Sequence, residues 1–395
     1  MFKILKKSKI SKARLGIIET KHGRIQTPFF MPDATRGMVK NLSNRDLLDL
    51  GLECFVANTL HLFLRPGLKL IKRAGGLHNL VNWRRSILSD SGGYQVFSLI
   101  HKNKNGVSGK ITDRGAVFRS PIDGSSLMLT PEQSIKIQFD LGVDMMVCFD
   151  DCPPNDYNDA NLKIAVERTI KWAKRCRLEY DKQIKSRVLN NIKPLLIAVV
   201  QGGNNLALRQ YCAQELTKIG FDGFGFGARH IDEAGNFLAE ALESTAGEIP
   251  DNKLRFGLGI GRPEDVIKSI KMGWDMFDCV IPTREGRHGR LFLFNGHAGG
   301  SGATDSISLK KRFYRSASLR SRMTVKGNFY ETINITNAKF ANDLSPINAR
   351  SRMPELKTYS KAYLHYLFKI NEPLGSRLAS LNNLEFYLKI LSEIR

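Results

Sequence analysis

Eight short apolar runs, each ending in polar residues or glycine and each followed by a longer stretch of helical periodicity, constrain this chain more than any other feature. They are PFFMPDA from Pro28, CFVANT from Cys54, SILSDSG from Ser86, MMVCFDDC from Met145, LLIAVVQGG from Leu195, GFGFGA from Gly223, RFGLGIG from Arg255 and MFDCVIPT from Met276. Strand and helix in alternation give a parallel sheet with crossover helices, and eight such units close a barrel. The expected fold class is α/β, a (β/α)8 TIM barrel. Its polar strand ends would be Asp33, Asn58, Asp90, Asp150, Asp151, Gln201, Gly227, Gly261, Asp278 and Thr283. In such barrels the C-terminal strand ends carry the chemistry. A single Asp there could equally cap the next helix; several acids and a Gln at equivalent ends argue for a site.

The organisation expected is a catalytic barrel over 1–295, a basic insertion over 296–328 and a C-terminal subdomain over 329–395 that completes the barrel. The insertion opens with Gly and Ser and then carries seven Lys/Arg against one Asp, the composition of a flexible loop. Beyond it, NFYETINITNAKF reads as extended, and from Tyr359 the apolar positions recur at helical spacing. The chain's formal charge of +22 creates a field attractive to polyanions, with RNA, DNA and anionic membrane as candidates. No apolar run approaches the roughly 20 residues that span a bilayer, and no secretory signal is evident, so a cytoplasmic protein without membrane partners is expected. The six cysteines are scattered without a CxxC pair, which favours reduced core thiols over disulfides or a thiolate metal site.

Asp90 and Asp278 are the candidate catalytic pair, because two carboxylates facing one ligand can divide the roles of nucleophile and proton carrier, as in glycosyl transfer. Arg284, Arg287 and Arg290 follow Asp278 closely and suit phosphate or single-stranded base contacts. Asp150 and Gln201 offer the acceptors and donors that read a purine edge. Gly92 and Gly93, with Gly202 and Gly203, let backbone approach a flat ligand, and Tyr94 is placed to stack on it.

Together SDSGGYQVFSL, FRSPIDGSSLMLTPEQSIKIQ, CFDDCPP, VVQGG, DMFDCVIPTR and NTLHLFLRPG resemble the tRNA-guanine transglycosylases, or queuine tRNA-ribosyltransferases. The resemblance spans the chain from about Gly16 onward, apart from the insertion. It implies exchange of the wobble guanine of GUN-anticodon tRNAs for a 7-deazaguanine or queuine-like free base, within the queuosine pathway, through a covalent tRNA–enzyme intermediate. By motif, Asp278 corresponds to the nucleophile and Asp90 to the general acid/base. Ser91, Gly92, Gly93, Tyr94, Asp150, Gln201, Gly227 and Ala228 correspond to the base pocket. Gly259, Ile260, Gly261, Arg262, Pro263, Glu264 and Asp265, with Thr283, Arg284, Glu285, Gly286 and Arg287, correspond to the anticodon-binding elements. A homodimer is implied as well.

Two departures stand out. The resemblance implies a structural zinc on three cysteines and a histidine, yet the aligned positions hold Ser351, Met353, Leu356 and Asn382. The expectation is no zinc and no other cofactor, with Met353 and Leu356 packing the subdomain instead. Ala228, Arg229 and His230 follow Gly227 where relatives have a Gly-Gly-Leu stretch, and Glu233 aligns with an acid that senses the deazaguanine substituent. Two competing readings remain: a noncatalytic tRNA-binding paralogue or partner subunit, opposed by retention of Asp90, Asp150, Gln201 and Asp278, and a small-glycoside hydrolase, opposed by the positive field.

Overall fold

The structure, a computed structural model, describes residues 1–94, 100, 109–154, 157–187, 192–295 and 329–395. All eight expected runs form strands of one parallel sheet: β1 (Phe29–Pro32), β2 (Cys54–Ala57), β3 (Ser86–Ser89), β4 (Met145–Val147), β5 (Leu195–Val200), β6 (Gly223–Phe226), β7 (Leu254–Gly257) and β8 (Met276–Cys279). The sheet runs in the order β1-β8-β7-β6-β5-β4-β3-β2, and a parallel bridge from Asp33 to Val56 joins its two ends, closing the barrel. The 296–328 insertion lies outside the described residues.

Alternation along the strands sorts the side chains. Phe29 and Met31 of β1, Cys54 and Val56 of β2, Leu88 of β3, Met145 and Val147 of β4, Leu195, Ile197 and Val199 of β5, Leu254 and Phe256 of β7, and Met276 of β8 form one buried apolar cluster that fills the barrel. Their outward neighbours, Phe30, Phe55, Ile87, Met146, Ala198, Phe224 and Phe277, join a second cluster beneath the surrounding helices. Met145 and Met146 are thus both core, on opposite sides of one strand, as a two-residue period requires.

Three antiparallel strands before the barrel, Phe2–Lys7, Arg14–Thr20 and Gly23–Thr27, cover its N-terminal end. Ile18 and Ile25 continue the interior cluster there. Arg14 clamps this sheet to the barrel: its Nε donates to Asp275 Oδ1 at 2.8 Å, while Asp275 Oδ2 accepts the Arg255 backbone N–H at 2.8 Å. A second antiparallel sheet, Lys110–Thr112, Gly115–Arg119 and Ser126–Leu129, lies between β3 and the helix Pro131–Leu141. That helix begins in a reciprocal Thr130/Gln133 capping box and ends at Gly142 in the left-handed region, φ 72°.

After β8 the chain makes only a short helix, Ile281–Arg287, and the eighth covering position is filled by Pro373–Ile394, which packs against both Ile281–Arg287 and β1. Residues 290–294 pair antiparallel with 330–334 and link the two regions. All six cysteines are free, and five of them are buried. Among the described residues no helix is long and apolar enough to cross a membrane.

Candidate active site

The alternation that fills the barrel continues one step past the strands. Two residues beyond Leu88, Val199 and Met276 lie Asp90, Gln201 and Asp278, so the first polar layer above the plug contains the expected site residues. Asp90 is held by three donors. Asn58 Nδ2 donates to its Oδ2 at 2.6 Å, and the N–H groups of Thr59 and Gly92 donate to its Oδ1 at 2.9 and 3.1 Å. Asn58 can do this because its own Oδ1 caps the helix Thr59–Leu62 by accepting from His61 N, which locks its side chain. Asp278 accepts the Gly259 N–H at 2.9 Å. Burial pushes both carboxyls up to about 7; Asp33 adds to the rise of each and Asp278 to that of Asp90, while the hydrogen-bond donors oppose it. Two acids whose protons are exchangeable near neutral pH therefore share one opening.

Beside them lies a second pair. Gln201 Nε2 donates to Asp150 Oδ2 at 2.7 Å, and Ser91 Oγ stands 3.5 Å from Asp150 Oδ1. Burial raises Asp150 to about 6 against the lowering by Gln201. The amide oxygen of Gln201 is buried and has no hydrogen-bond partner among the described residues. An orphaned acceptor costs about 1–3 kcal/mol, which a ligand N–H would recover. Glycines frame this pocket closely: a Cβ on Gly227 would lie 2.5 Å from Gln201 Cδ, and one on Gly93 would lie 3.1 Å from Asp150 Oδ1. Ala228 adopts φ 69°, strained for a residue with a side chain, and Tyr94 is half exposed at the rim. Asp151, by contrast, is taken up by an ion pair with Arg168 at 2.5 Å.

Sequence reasoning missed Arg209. It is fully buried with no carboxylate partner among the described residues, and burial lowers its pKa to about 10. Its guanidinium donates to the carbonyls of Gly203, Val200 and Gly227 at 2.7, 3.3 and 3.1 Å and lies 3.9 Å from the Phe226 ring centre. It thereby ties together the two glycine loops on which Gln201 and Gly227 sit. Its spacing inside an ordinary helix gives no sequence signal for this.

The two segments expected to meet RNA divide by burial. Gly259, Arg262 and Arg284 are exposed, and Glu264, Glu285 and Arg287 are partly so, whereas Ile260, Gly261, Pro263, Asp265, Thr283 and Gly286 are buried framework. Helix Pro373–Ile394 positions both segments. Tyr387 Oη donates to the Gly261 carbonyl, Asn383 Nδ2 donates to the Pro282 carbonyl at 3.0 Å, and Gly286 packs so tightly on Ser380 that a Cβ would lie 2.8 Å from its Cα. Arg229 and Glu233 are exposed; His230 is partly buried, and burial lowers it to about 4.

The positions aligned with zinc ligands do not fit a metal. Ser351 Oγ donates to Glu385 and accepts from Met353 N at 2.9 Å; Asn382 accepts from Asn348 Nδ2 at 2.9 Å and donates to the Phe292 carbonyl at 3.0 Å. Met353 and Leu356 are buried in apolar packing. Another group of metal-ligand types, His22, His78 and Asp144, lies at the opposite end of the barrel. There the two rings stack 3.7 Å apart, and Asp144 accepts from His22 Nδ1 at 2.8 Å, His78 Nε2 at 3.1 Å and Ile87 N at 2.9 Å. With both ring nitrogens engaged by the Asp144 carboxylate, the cluster is accounted for as a hydrogen-bonded brace.

A closed (β/α)8 barrel with half-buried carboxylates gathered at its C-terminal rim has the layout of a TIM-barrel enzyme. A family model described as queuine tRNA-ribosyltransferase matches residues 8–395. Queuine tRNA-ribosyltransferases of Thermoanaerobacter pseudethanolicus and Aliivibrio fischeri are 39% and 36% identical over 394 residues, covering 100% of this chain and 92% of each relative. That of Idiomarina loihiensis is 37% identical over 384 residues, covering 97% of this chain and 90% of the relative. The chain belongs to the queuine tRNA-ribosyltransferase family and is by class a tRNA-ribosyltransferase.

Proposed function

We propose that this enzyme exchanges the wobble guanine of GUN-anticodon tRNAs for a free 7-deazaguanine or queuine-like base by two successive displacements at the ribose. The observation that carries the reading is the juxtaposition of two half-buried acids, Asp278 and Asp90, with a purine-reading pair, Asp150 and Gln201, in one polar layer. Asp278 attacks C1′ of the extruded nucleotide, the C1′–N9 bond breaks, and its electron pair leaves on guanine N9, which takes the proton of Asp90. An ester between Asp278 and the ribose results. Asp90 then accepts the N9 proton of the incoming base, whose N9 attacks C1′ and returns Asp278 as a free carboxylate. A carboxyl near 7 carries a proton in the first half and accepts one in the second at small cost. Extrusion is required because the glycosidic bond is out of reach within a stack.

The pocket chemistry supports a guanine-like base. Asp150 accepts from amino and ring N–H groups, and the orphaned Gln201 oxygen accepts one more donor while Tyr94 stacks on the ring. Arg262, Arg284 and Arg287 line the approach for phosphates, and the +22 charge draws the polyanion in. The subdomain needs no structural zinc, its role being taken by the Ser351–Glu385 and Asn382 hydrogen bonds; stoichiometric zinc after dialysis would overturn this. The working form is a homodimer, checked by light scattering with and without tRNA.

Labelled guanine offered with a GUN-anticodon tRNA tests the main reading. Incorporation that disappears in Asp278→Asn supports it. Tight tRNA binding without incorporation by the unaltered enzyme sinks it and leaves a noncatalytic binder.

A further inference from the structure

A further carboxylate stands in the same polar layer without a role in the two displacements. Phe29 and Met31 point into the barrel, and the next inward step on that line is Asp33, just past β1. Its backbone bridges Val56 of β2, and in the neighbouring strand Asp278 is registered opposite Met31. Asp33 is half buried, and Thr35 Oγ1 donates to its oxygens at 2.9 and 2.6 Å. Among the described residues no lysine, arginine or histidine forms an ion pair with it, although Arg287 lies within its electrostatic reach. Its charge acts on both Asp90 and Asp278, so the three acids crowd one opening. Like charges gathered at one opening are costly, and such an arrangement persists where a ligand supplies donors.

The required donor follows from where Asp33 lies. Asp278 must meet C1′, so a carboxylate on the adjoining strand end faces the sugar of that nucleotide. Within a polynucleotide the 3′ and 5′ oxygens are esterified, which leaves the 2′-hydroxyl, on the carbon next to C1′, as that sugar's remaining O–H donor. We propose that Asp33 accepts a hydrogen bond from the 2′-hydroxyl of the nucleotide undergoing exchange, making the site selective for ribose over deoxyribose. The inference rests on the base-exchange reading above. Asp33 is then a substrate-contacting specificity residue that takes no proton in the reaction.

The test uses two anticodon stem-loops that differ only by a 2′-hydroxyl or 2′-hydrogen at the exchanged position. Wild type, Asp33→Ala and Asp33→Asn are compared by kcat/KM for guanine exchange and by equilibrium binding. A hydrogen bond to a charged acceptor predicts that wild type favours the ribose substrate roughly 10- to 100-fold. Asp33→Ala should lose that factor on the ribose substrate and show no preference between the two. Asp33→Asn keeps the shape and an accepting oxygen but no charge, so an intermediate preference is expected; it also covers the case in which Ala disturbs folding. An equal ribose preference in all three proteins, or none in wild type, overturns the contact. Asp33-dependent preference in binding without any exchange overturns the transglycosylase reading and keeps the contact. Exchange with no ribose preference overturns the contact alone.

Discussion

Replacing Asp278 with Asn should destroy exchange and yet make the folded protein more stable at alkaline pH. Burial and the nearby Asp33 raise the Asp278 carboxyl from an ordinary 3.8 to about 7. An acid whose folded pKa lies above its unfolded value lowers stability progressively as pH climbs from about 4 to about 7, since the native state must then hold a charge the unfolded state ionises freely. At pH 4 the wild-type side chain is protonated in the folded protein, and Asp and Asn should be nearly equivalent. At pH 8 the full penalty applies, at most about 4 kcal/mol, and partial solvent access at the rim reduces it to roughly 2–3 kcal/mol. Asn retains an oxygen to accept the Gly259 N–H, so that bond is not lost. Urea unfolding of both proteins at pH 4 and pH 8 reads the difference directly. An advantage for Asn that appears only at the higher pH is the expected result. A pH-independent gap, or a less stable Asn variant at pH 8, would refute the reasoning that the site stores electrostatic strain at Asp278.

Three further outcomes follow from the same geometry. The kcat/KM for base exchange should fall about tenfold per pH unit below about 7 as Asp278 takes up a proton, and a profile flat down to pH 5 would contradict this. Gly227→Ala forces a methyl to 2.5 Å from the Gln201 amide carbon and should pull Gln201 off Asp150. A loss on the order of 100-fold in kcat/KM for the free base is expected, with tRNA affinity unchanged by titration. At the other end of the barrel, Asp144 is lowered to about 2 because the His22 and His78 hydrogen bonds outweigh its burial. That stabilisation, about 2 kcal/mol, is present above pH 4 and lost between about pH 4 and pH 2, so unfolding free energies of Asp144→Asn should depend less on pH across that window.

Much of this architecture was legible in the sequence because barrel strands buried on both faces read as unbroken apolar runs, and their ends are where apolar character must stop. The same rule exposed Asp90, Gln201 and Asp278, each two residues past an inward-facing core position. What escaped has physical causes. The strands Phe2–Lys7 and Lys110–Thr112 are short and exposed or half-buried throughout, so their periodicity is diluted by surface charge. Arg209 looks like any helical arginine until three carbonyls from distant loops are seen to converge on it. Asp33 was visible as a polar strand end, but its meeting with Asp90 and Asp278 depends on the Asp33–Val56 bridge that closes the ring. The segments expected to bind the anticodon were legible only as whole runs, and tertiary packing buries Ile260, Asp265 and Gly286 within them. Contacts spanning about a hundred residues, such as Asn383 to Pro282, leave no local signature.

The apolar plug beneath the polar layer bears on traffic as well as packing. Phe29, Met31, Val56, Leu88, Ile197 and Phe256 seal the floor, and the N-terminal sheet covers it from below. A chamber without a rear exit makes every visitor use one doorway. On the exchange proposed above, the displaced guanine would leave past the RNA still tethered inside, and the replacement base would enter by the same gap. Guanine that lingers blocks its own successor, so the released base should compete with the incoming one, and the throughput of the enzyme is set as much by the vacating of a single berth as by the bonds broken within it.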